Sequence, residues 1–302
     1  METSGEINPP AIFSAKGIVA VVSGSGSGSF SRAPAWEKVA DSGMASFWDD
    51  VLTAAATSLD PSNTKVIPLR CDVTSDTSIA AAVQQIEADT GCVDVLANNA
   101  GIAGPLFDIN AATSVDELSA GLLEAHRKSP DVLACNTISV IGITTALLPL
   151  LDKSNKRRGW RNSSKLGLTD VNTRAVSSAP ADINAEDHRS SQIITISSIA
   201  GIERHGLTGL AYSASKAGSP NVGMVFFTML ARWNIRSKAI LPGLFPSEMA
   251  ICVSMADLPF GENPTGRAGC VEDVAGFVLY LAGQGWCFRK RRRLVGVRRK
   301  DV

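Results

Sequence analysis

Cysteine and histidine are scarce in this 302-residue chain, which holds six Cys and three His. The cysteines, Cys71, Cys92, Cys135, Cys252, Cys270 and Cys287, form no Cys-x-x-Cys pair and stand near no cluster of histidines. That spacing argues against a disulfide framework and against a zinc site, so no metal is expected, and it points to a reducing compartment. Net charge is also lacking, with 29 Lys and Arg against 29 Asp and Glu. The residues before Pro10 carry no basic stretch leading into an apolar core, and by eye no later run reaches the roughly 18 apolar residues of a membrane span. The expected setting is therefore soluble and cytoplasmic, with no membrane partner.

The charge balance conceals an asymmetry. Eight basic residues, from Arg289 to Lys300, crowd the last fourteen positions and leave residues 1–288 with 21 basic and 28 acidic groups. An acidic body gives no reason to bind nucleic acid. The tail reads as a solvated terminus, with nucleic-acid contact or nuclear import as the alternative. The expected organisation is one domain over 1–288 followed by a basic tail over 289–302.

What is present is alternation. Short apolar runs at Gly17–Ser23, Lys65–Arg70, Val93–Ala97, Gln192–Ser197 and Ile235–Leu241 read as five strands. Between them, Ser78–Thr90 places Ile79, Ala82, Val83 and Ile86 on one helical face, and Val132–Leu151 reads as a longer buried helix. Val271–Ala282 suits a helix whose acidic Glu272 and Asp273 favour its positive end. Such βα repetition predicts an α/β fold, a doubly wound parallel sheet buried on both faces. Two stretches break the pattern. Ser29–Asp50 shows neither period, so no second strand is found there, and polar Asp152–Ser191 reads as a surface loop.

Four segments carry candidate chemistry. Ser23-Gly-Ser-Gly-Ser-Gly-Ser-Phe30 is a glycine-rich turn after a strand, suited to a pyrophosphate or, equally, to a linker. Asn98-Asn-Ala-Gly101 and Ser197-Ser198 end strands, where open α/β sheets place ligands and where polar turns also occur. In Tyr212-Ser-Ala-Ser-Lys216 a helix would set the ammonium beside the phenol and lower the tyrosine's pKa from about 10. Tyr212 could then exchange a proton near neutral pH.

In this order, and together with Ile235-Arg-Ser-Lys-Ala-Ile-Leu-Pro-Gly243, these segments resemble the short-chain dehydrogenase/reductase family from about Gly17 to Leu281. The resemblance implies a Rossmann-like fold, NADP or NAD as cofactor, and hydride transfer between a small-molecule carbonyl and its secondary alcohol. It implies Ser198 as the serine that polarises the substrate oxygen and Tyr212 as the acid/base. Lys216 would depress the tyrosine's pKa and hold the nicotinamide ribose, and Asn136 would anchor a proton-relay water. Gly24 and Gly28 match the cofactor turn, Asp72 the aspartate beside adenine, and Asn99 and Gly101 the motif that lines the adenosine ribose. Pro242, Gly243 and Ser247 fit the segment that covers the nicotinamide. The family also implies a homodimer or homotetramer.

The departures are specific. Phe30 stands where the turn's last glycine is expected, and the residue that reads the ribose 2′-position is not identified, leaving NAD and NADP undistinguished. Pro220 would cost a helix about 3 kcal/mol or more in its interior. Residues 285–302 replace a closing strand and Asp-Gly-Gly turn. Pattern lost between sharp limits at 29–50 and 285–302 is what reading-frame shifts or a misplaced exon boundary leave. These departures support a second reading, a catalytically impaired binding protein with a degraded cofactor site. The region from Phe245 to Pro264 is mostly apolar or small and would tolerate a hydrophobic substrate.

Overall fold

The computed structural model describes residues 14–15, 17–24, 44–47, 66–105, 107, 112–161, 187–203, 209–245 and 267–283. Six strands form one sheet: β1 (Ala20–Val22), β2 (Met44–Phe47), β3 (Val66–Leu69), β4 (Val95–Asn98), β5 (Gln192–Ile196) and β6 (Arg236–Ile240). All pairings are parallel and the spatial order is β3-β2-β1-β4-β5-β6. The order reverses between β1 and β4, and the carboxyl ends of those two strands flank the crevice where doubly wound sheets take ligands.

The five strands expected from apolar runs are all present. The second strand, thought missing from Ser29–Asp50, is present too: Met44–Phe47 pairs with β1 through Met44 opposite Ala20 and with β3 through Met44 opposite Val66. Pairing on both sides imposes extended backbone on four residues whose own pattern is silent.

Alternate residues of the central strands feed two cores. Ala20, Val22, Val95, Ala97, Ile194 and Ile196 pack on one face with Val274, Val278 and Leu281 of α6 (Val271–Ala282). Val21, Leu96 and Ile193 pack on the other. There they meet Ile79 and Ile86 of α1 (Asp76–Thr90), Ile143, Leu147 and Leu150 of α4 (Ser139–Arg157), and Phe226 and Leu230 of α5 (Leu210–Leu230). Side chains of this size contribute roughly 1.5–3 kcal/mol each when fully buried. Ser75 caps α1 by accepting from the Ser78 amide, the local reason that helix starts where it does. Helix α2 (Val115–Arg127), which the sequence reading did not identify, is capped likewise by Ser114 and buries none of its residues.

The long helix expected over Val132–Leu151 is interrupted. Short α3 (Ser129–Leu133) runs into a π-turn at Ala134–Ile138 before α4 continues to Arg157. By length and composition Ser129–Arg157 is apolar enough to cross a membrane, with a window of mean hydropathy 1.7, contrary to the reading that no run reaches that length. Its apolarity has a local cause, since Val140, Ile143, Leu147, Leu150 and Leu151 of α4 are buried in the fold.

The polar stretch Asp152–Ser191 is not simply a surface loop. Residues up to Arg157 complete α4, and Arg158, Asp187, Arg189, Ser190 and Ser191 are buried. At the amino-terminal ends of the strands, Arg158 donates to Asp94 Oδ1 from Nε (3.0 Å) and Nη2 (2.8 Å), and to Asp187 Oδ2 from Nη1 (2.5 Å). Arg189 grips Asp187 through two bonds of 2.8 and 2.7 Å. Asp94 Oδ2 also accepts from the Val19 amide at 2.8 Å, which ties the cluster to the entrance of β1. Arg158, Asp187 and Arg189 of this stretch thus form an internal ion-pair network, and 162–186 lie outside the described residues.

Candidate active site

The carboxyl ends of β1, β4 and β5 converge with the first turns of α5. After β1, Gly24 adopts φ +67°, and a Cβ there would overlap the Ala100 backbone, so only glycine lets the two loops meet. Ser23 Oγ accepts from the amides of Asn99 (3.0 Å) and Ala100 (3.1 Å). Asn99 Nδ2 returns bonds to the carbonyls of Ser23 (3.1 Å) and Gly24 (2.9 Å). These bonds lock the cofactor-type turn to the Asn98–Gly101 loop across the switch point. Gly28 and Phe30 lie outside the described residues.

Beyond β3, exposed Asp72 Oδ1 accepts from the Thr74 amide and hydroxyl at 2.8 and 2.7 Å, which holds its carboxyl below the ordinary range. It remains ionised at neutral pH.

Asn136 sits in the π-turn, a local widening that re-aims side chains and recurs at functional sites. Its Oδ1 accepts from the Ile102 amide at 2.8 Å, and its Nδ2 donates to Ile102 O at 2.9 Å and Ser215 Oγ at 3.0 Å. It therefore joins the loop after β4 to α5. Gly101 lies between Asn136 and Lys216: a Cβ there would stand 3.1 Å from Asn136 Oδ1 and 3.4 Å from Lys216 Nζ.

Ser198 follows β5 and caps a short 3-10 turn at Ile199–Gly201. Its Oγ accepts from the Ala200 amide at 3.2 Å, and its side chain lies beside the Tyr212 phenol. Burial pushes that phenol above its ordinary pKa of 10, and the Ser198 side chain only partly offsets the rise. The expectation that Lys216 draws the tyrosine down is not met, because the ammonium lies over the ring at 5.6 Å from its centroid and donates to Ile196 O at 3.2 Å. Burial instead lowers Lys216 itself from 10.5 to about 8. At neutral pH this centre holds a protonated phenol beside a buried cation.

Pro242 and Gly243 flank the serine turn. The Pro242 carbonyl accepts from the Ile199 amide at 2.9 Å, and Gly243 faces the Ile199 side chain. Ser247 and most of the apolar stretch toward Pro264 lie outside the described residues, as do Cys252, Cys287 and the basic tail.

A family model described as short chain dehydrogenase matches residues 19–179 and 160–256. The short-chain dehydrogenase/reductase SAT3 of Stachybotrys chartarum is 33% identical over 228 residues, covering 72% of this chain and 79% of that protein. The chain belongs to the short-chain dehydrogenase/reductase family. The family member PhomF' of Diaporthe leptostromiformis is also 33% identical, over 72% of this chain and 69% of its own. Among solved structures, a short-chain type dehydrogenase/reductase from Mycobacterium marinum superposes with a TM-score of 0.70 at 19% identity, covering 94% and 95% of the two chains. A Pseudomonas aeruginosa RhlG/NADP active-site complex gives 0.67 at 23% identity, covering 92% and 94%. The Rossmann fold of this family is thus shared, and the family is one of NAD(P)-binding oxidoreductases.

The site fits such a dinucleotide on two observations. Gly24 leaves the turn after β1 free of side-chain bulk at the switch point. Lys216 makes one hydrogen bond within the described residues although an ammonium can donate three, so it retains donors for ribose hydroxyls. Ser23 and Ser215 also organise the site, and both lie inside the matched motifs, Ser23 opening the glycine-rich turn and Ser215 preceding Lys216.

Proposed function

We propose that the protein is an NAD(P)-dependent oxidoreductase interconverting a carbonyl and a secondary alcohol, with Tyr212 as the acid/base. The observation that carries this reading is the Lys216 ammonium 5.6 Å over the Tyr212 ring, with the Ser198 side chain beside a phenol that burial keeps protonated at neutral pH. A carbonyl oxygen held by the Ser198 hydroxyl and the Tyr212 phenol would accept two hydrogen bonds, which draws electron density from its carbon. Tyr212 would then deliver its proton to that oxygen as negative charge develops there. When bound, the reduced nicotinamide supplies hydride to the carbon. Asp72, Asn99 and Gly24 would line the adenosine side of the crevice, with Lys216, Pro242 and Gly243 at the nicotinamide side. Asn136 would keep the Ile102 loop and α5 in register beside Lys216. The raised phenol favours the reductive direction at neutral pH.

Association of two copies belongs to the same reading. Ile138 and Ile141 on the π-turn and α4, with Met224, Val225 and Met229 on α5, leave apolar surface exposed on the long helices. Light scattering on the purified protein reads the resulting mass.

The test is turnover of NADPH or NADH with a panel of apolar ketones and aldehydes, followed by nicotinamide absorbance. Saturating cofactor at about 100 times its dissociation constant should raise stability by about 2.7 kcal/mol in thermal unfolding. Absence of both turnover and stabilisation with either cofactor overturns the reading.

A further inference from the structure

We propose that Ser197 is a positioning residue whose hydroxyl takes the place of the helix hydrogen bond that Pro220 removes, and thereby fixes Tyr212 against Ser198. The proposal rests on the reading of Tyr212 as the proton donor.

Pro220 lies inside α5 and is buried. In an unbroken helix the carbonyl of residue 216 accepts from the amide of residue 220, and proline has no such amide. The Lys216 carbonyl is not left bare. Ser197 Oγ donates to it at 2.5 Å and accepts from Ser219 Oγ at 3.1 Å, with all three residues buried. Gly201 presses on the same carbonyl from the serine turn, where a Cβ would overlap Lys216 O, Lys216 C and Ala217 N.

Three consecutive residues at the end of β5 thus hold the catalytic turn of α5. Ile196 O accepts from the Lys216 ammonium, Ser197 Oγ donates to the Lys216 carbonyl, and the Ser198 side chain lies beside the Tyr212 phenol. The middle bond joins main chain to strand, so it sets the separation across which the outer two must reach. Pro220 frees the carbonyl for this use by withdrawing its helical partner. Ser197 serves through Ser198 and Tyr212, not by contact with substrate.

The experiment exploits a chain with two tyrosines. In a Tyr280→Phe background, carbon-13 labelling of the tyrosine ring leaves one phenol resonance, that of Tyr212, readable at neutral pH without cofactor or substrate. S198A supplies the reference position for a phenol without the Ser198 hydroxyl beside it. In S197A the resonance should move toward that reference and the thermal midpoint should fall, because a buried carbonyl loses its donor. In S197A/P220A the amide restored at position 220 can refill the helical bond, so the midpoint should recover while the resonance stays displaced. S197T, which keeps the hydroxyl, should retain the wild-type resonance. In turnover, S197A/P220A should lose roughly 10-fold to 100-fold in kcat, with KM for cofactor within about twofold.

A resonance that returns with stability in S197A/P220A overturns the proposal, since Ser197 would then only satisfy a carbonyl. An unchanged resonance in S197A overturns it as well. Should S197A alone fail to fold, the double variant carries the same comparison. Failure of wild-type turnover would strike the oxidoreductase reading, whereas the resonance decides the role of Ser197 by itself.

Discussion

Arg158, at the amino-terminal ends of the strands, and Lys216, near their carboxyl ends, are equally withdrawn from water, at 4% and 5% exposed. Burial works against the charge of both. For Arg158 the carboxylates of Asp94 and Asp187 overcome that penalty and raise its pKa, while Asp187, in spite of burial, is held low by Arg189 and Arg158. Lys216 has no carboxylate partner within ion-pair distance among the described residues, and it falls to about 8. Depth is therefore not what separates the two ends of the sheet. Paired charge locks one end in a single protonation state, whereas unpaired charge leaves the other able to change state, as a proton-transfer site requires.

The largest effect should come from removing the proton at the open end. Tyr212→Phe keeps the ring over which Lys216 lies and deletes only the hydroxyl, so kcat should fall by roughly 10²–10⁴-fold with little change in thermal midpoint. Steady-state kinetics beside a melting curve checks both halves. The next effect belongs to the paired end. Arg158→Met should destabilise by about 3–5 kcal/mol, because Asp94 and Asp187 would remain buried without their shared partner. Urea unfolding measures the loss, and the specific activity of the fraction still folded should match wild type. A large activity loss in folded R158M would show that the two ends are coupled.

The same contrast explains what could be read from the chain beforehand. Strands β1, β4 and β5 feed both cores, so their burial is written as apolar runs, and α6 was delimited as Val271–Ala282 by its acidic start and apolar period. Strand β2 was not legible, because its extended form comes from hydrogen bonds to β1 and β3 and not from its four residues. Arg158, Asp187 and Arg189 looked like a solvated loop because composition records charge without recording its partner. Tyr212 and Lys216 were legible as neighbours on a helix. Their titration was not, since it depends on burial, which only the folded chain sets. Pro220 was legible as a cost, but the Ser197 hydroxyl that accommodates it was not.

A smaller effect follows from the sign of the Lys216 shift. The folded state releases the Lys216 proton near pH 8 and the unfolded chain near 10.5, so between these values the unfolded state binds more protons and stability rises with pH. Below about 8 the full penalty for the buried cation is present. Lys216→Met lacks that penalty, so its stability relative to wild type should be greatest at neutral pH. The advantage should shrink by about 3 kcal/mol as pH rises through this window. Chemical denaturation of both proteins across the range tests it, and a gap independent of pH would mean that Lys216 is solvated or paired after all.

The smallest effect probes how much room the open end has. Gly101→Ala places a methyl group 3.1 Å from Asn136 Oδ1, a contact tight by a few tenths of an ångström, and 3.4 Å from Lys216 Nζ, the near limit of ordinary contact. Asn136 is held by three bonds and should resist, so the substituted loop should shift toward Lys216, which is held by one bond to Ile196 O. Stability should fall by only about 1 kcal/mol, of the order of a mild steric misfit. Cofactor affinity should weaken several-fold while the Asn136 bonds persist, a split that calorimetric titration and thermal unfolding on the same sample would register. If stability fell as far as in R158M, the open end would be as tightly packed as the paired one, and unpaired charge alone would no longer account for their different behaviour.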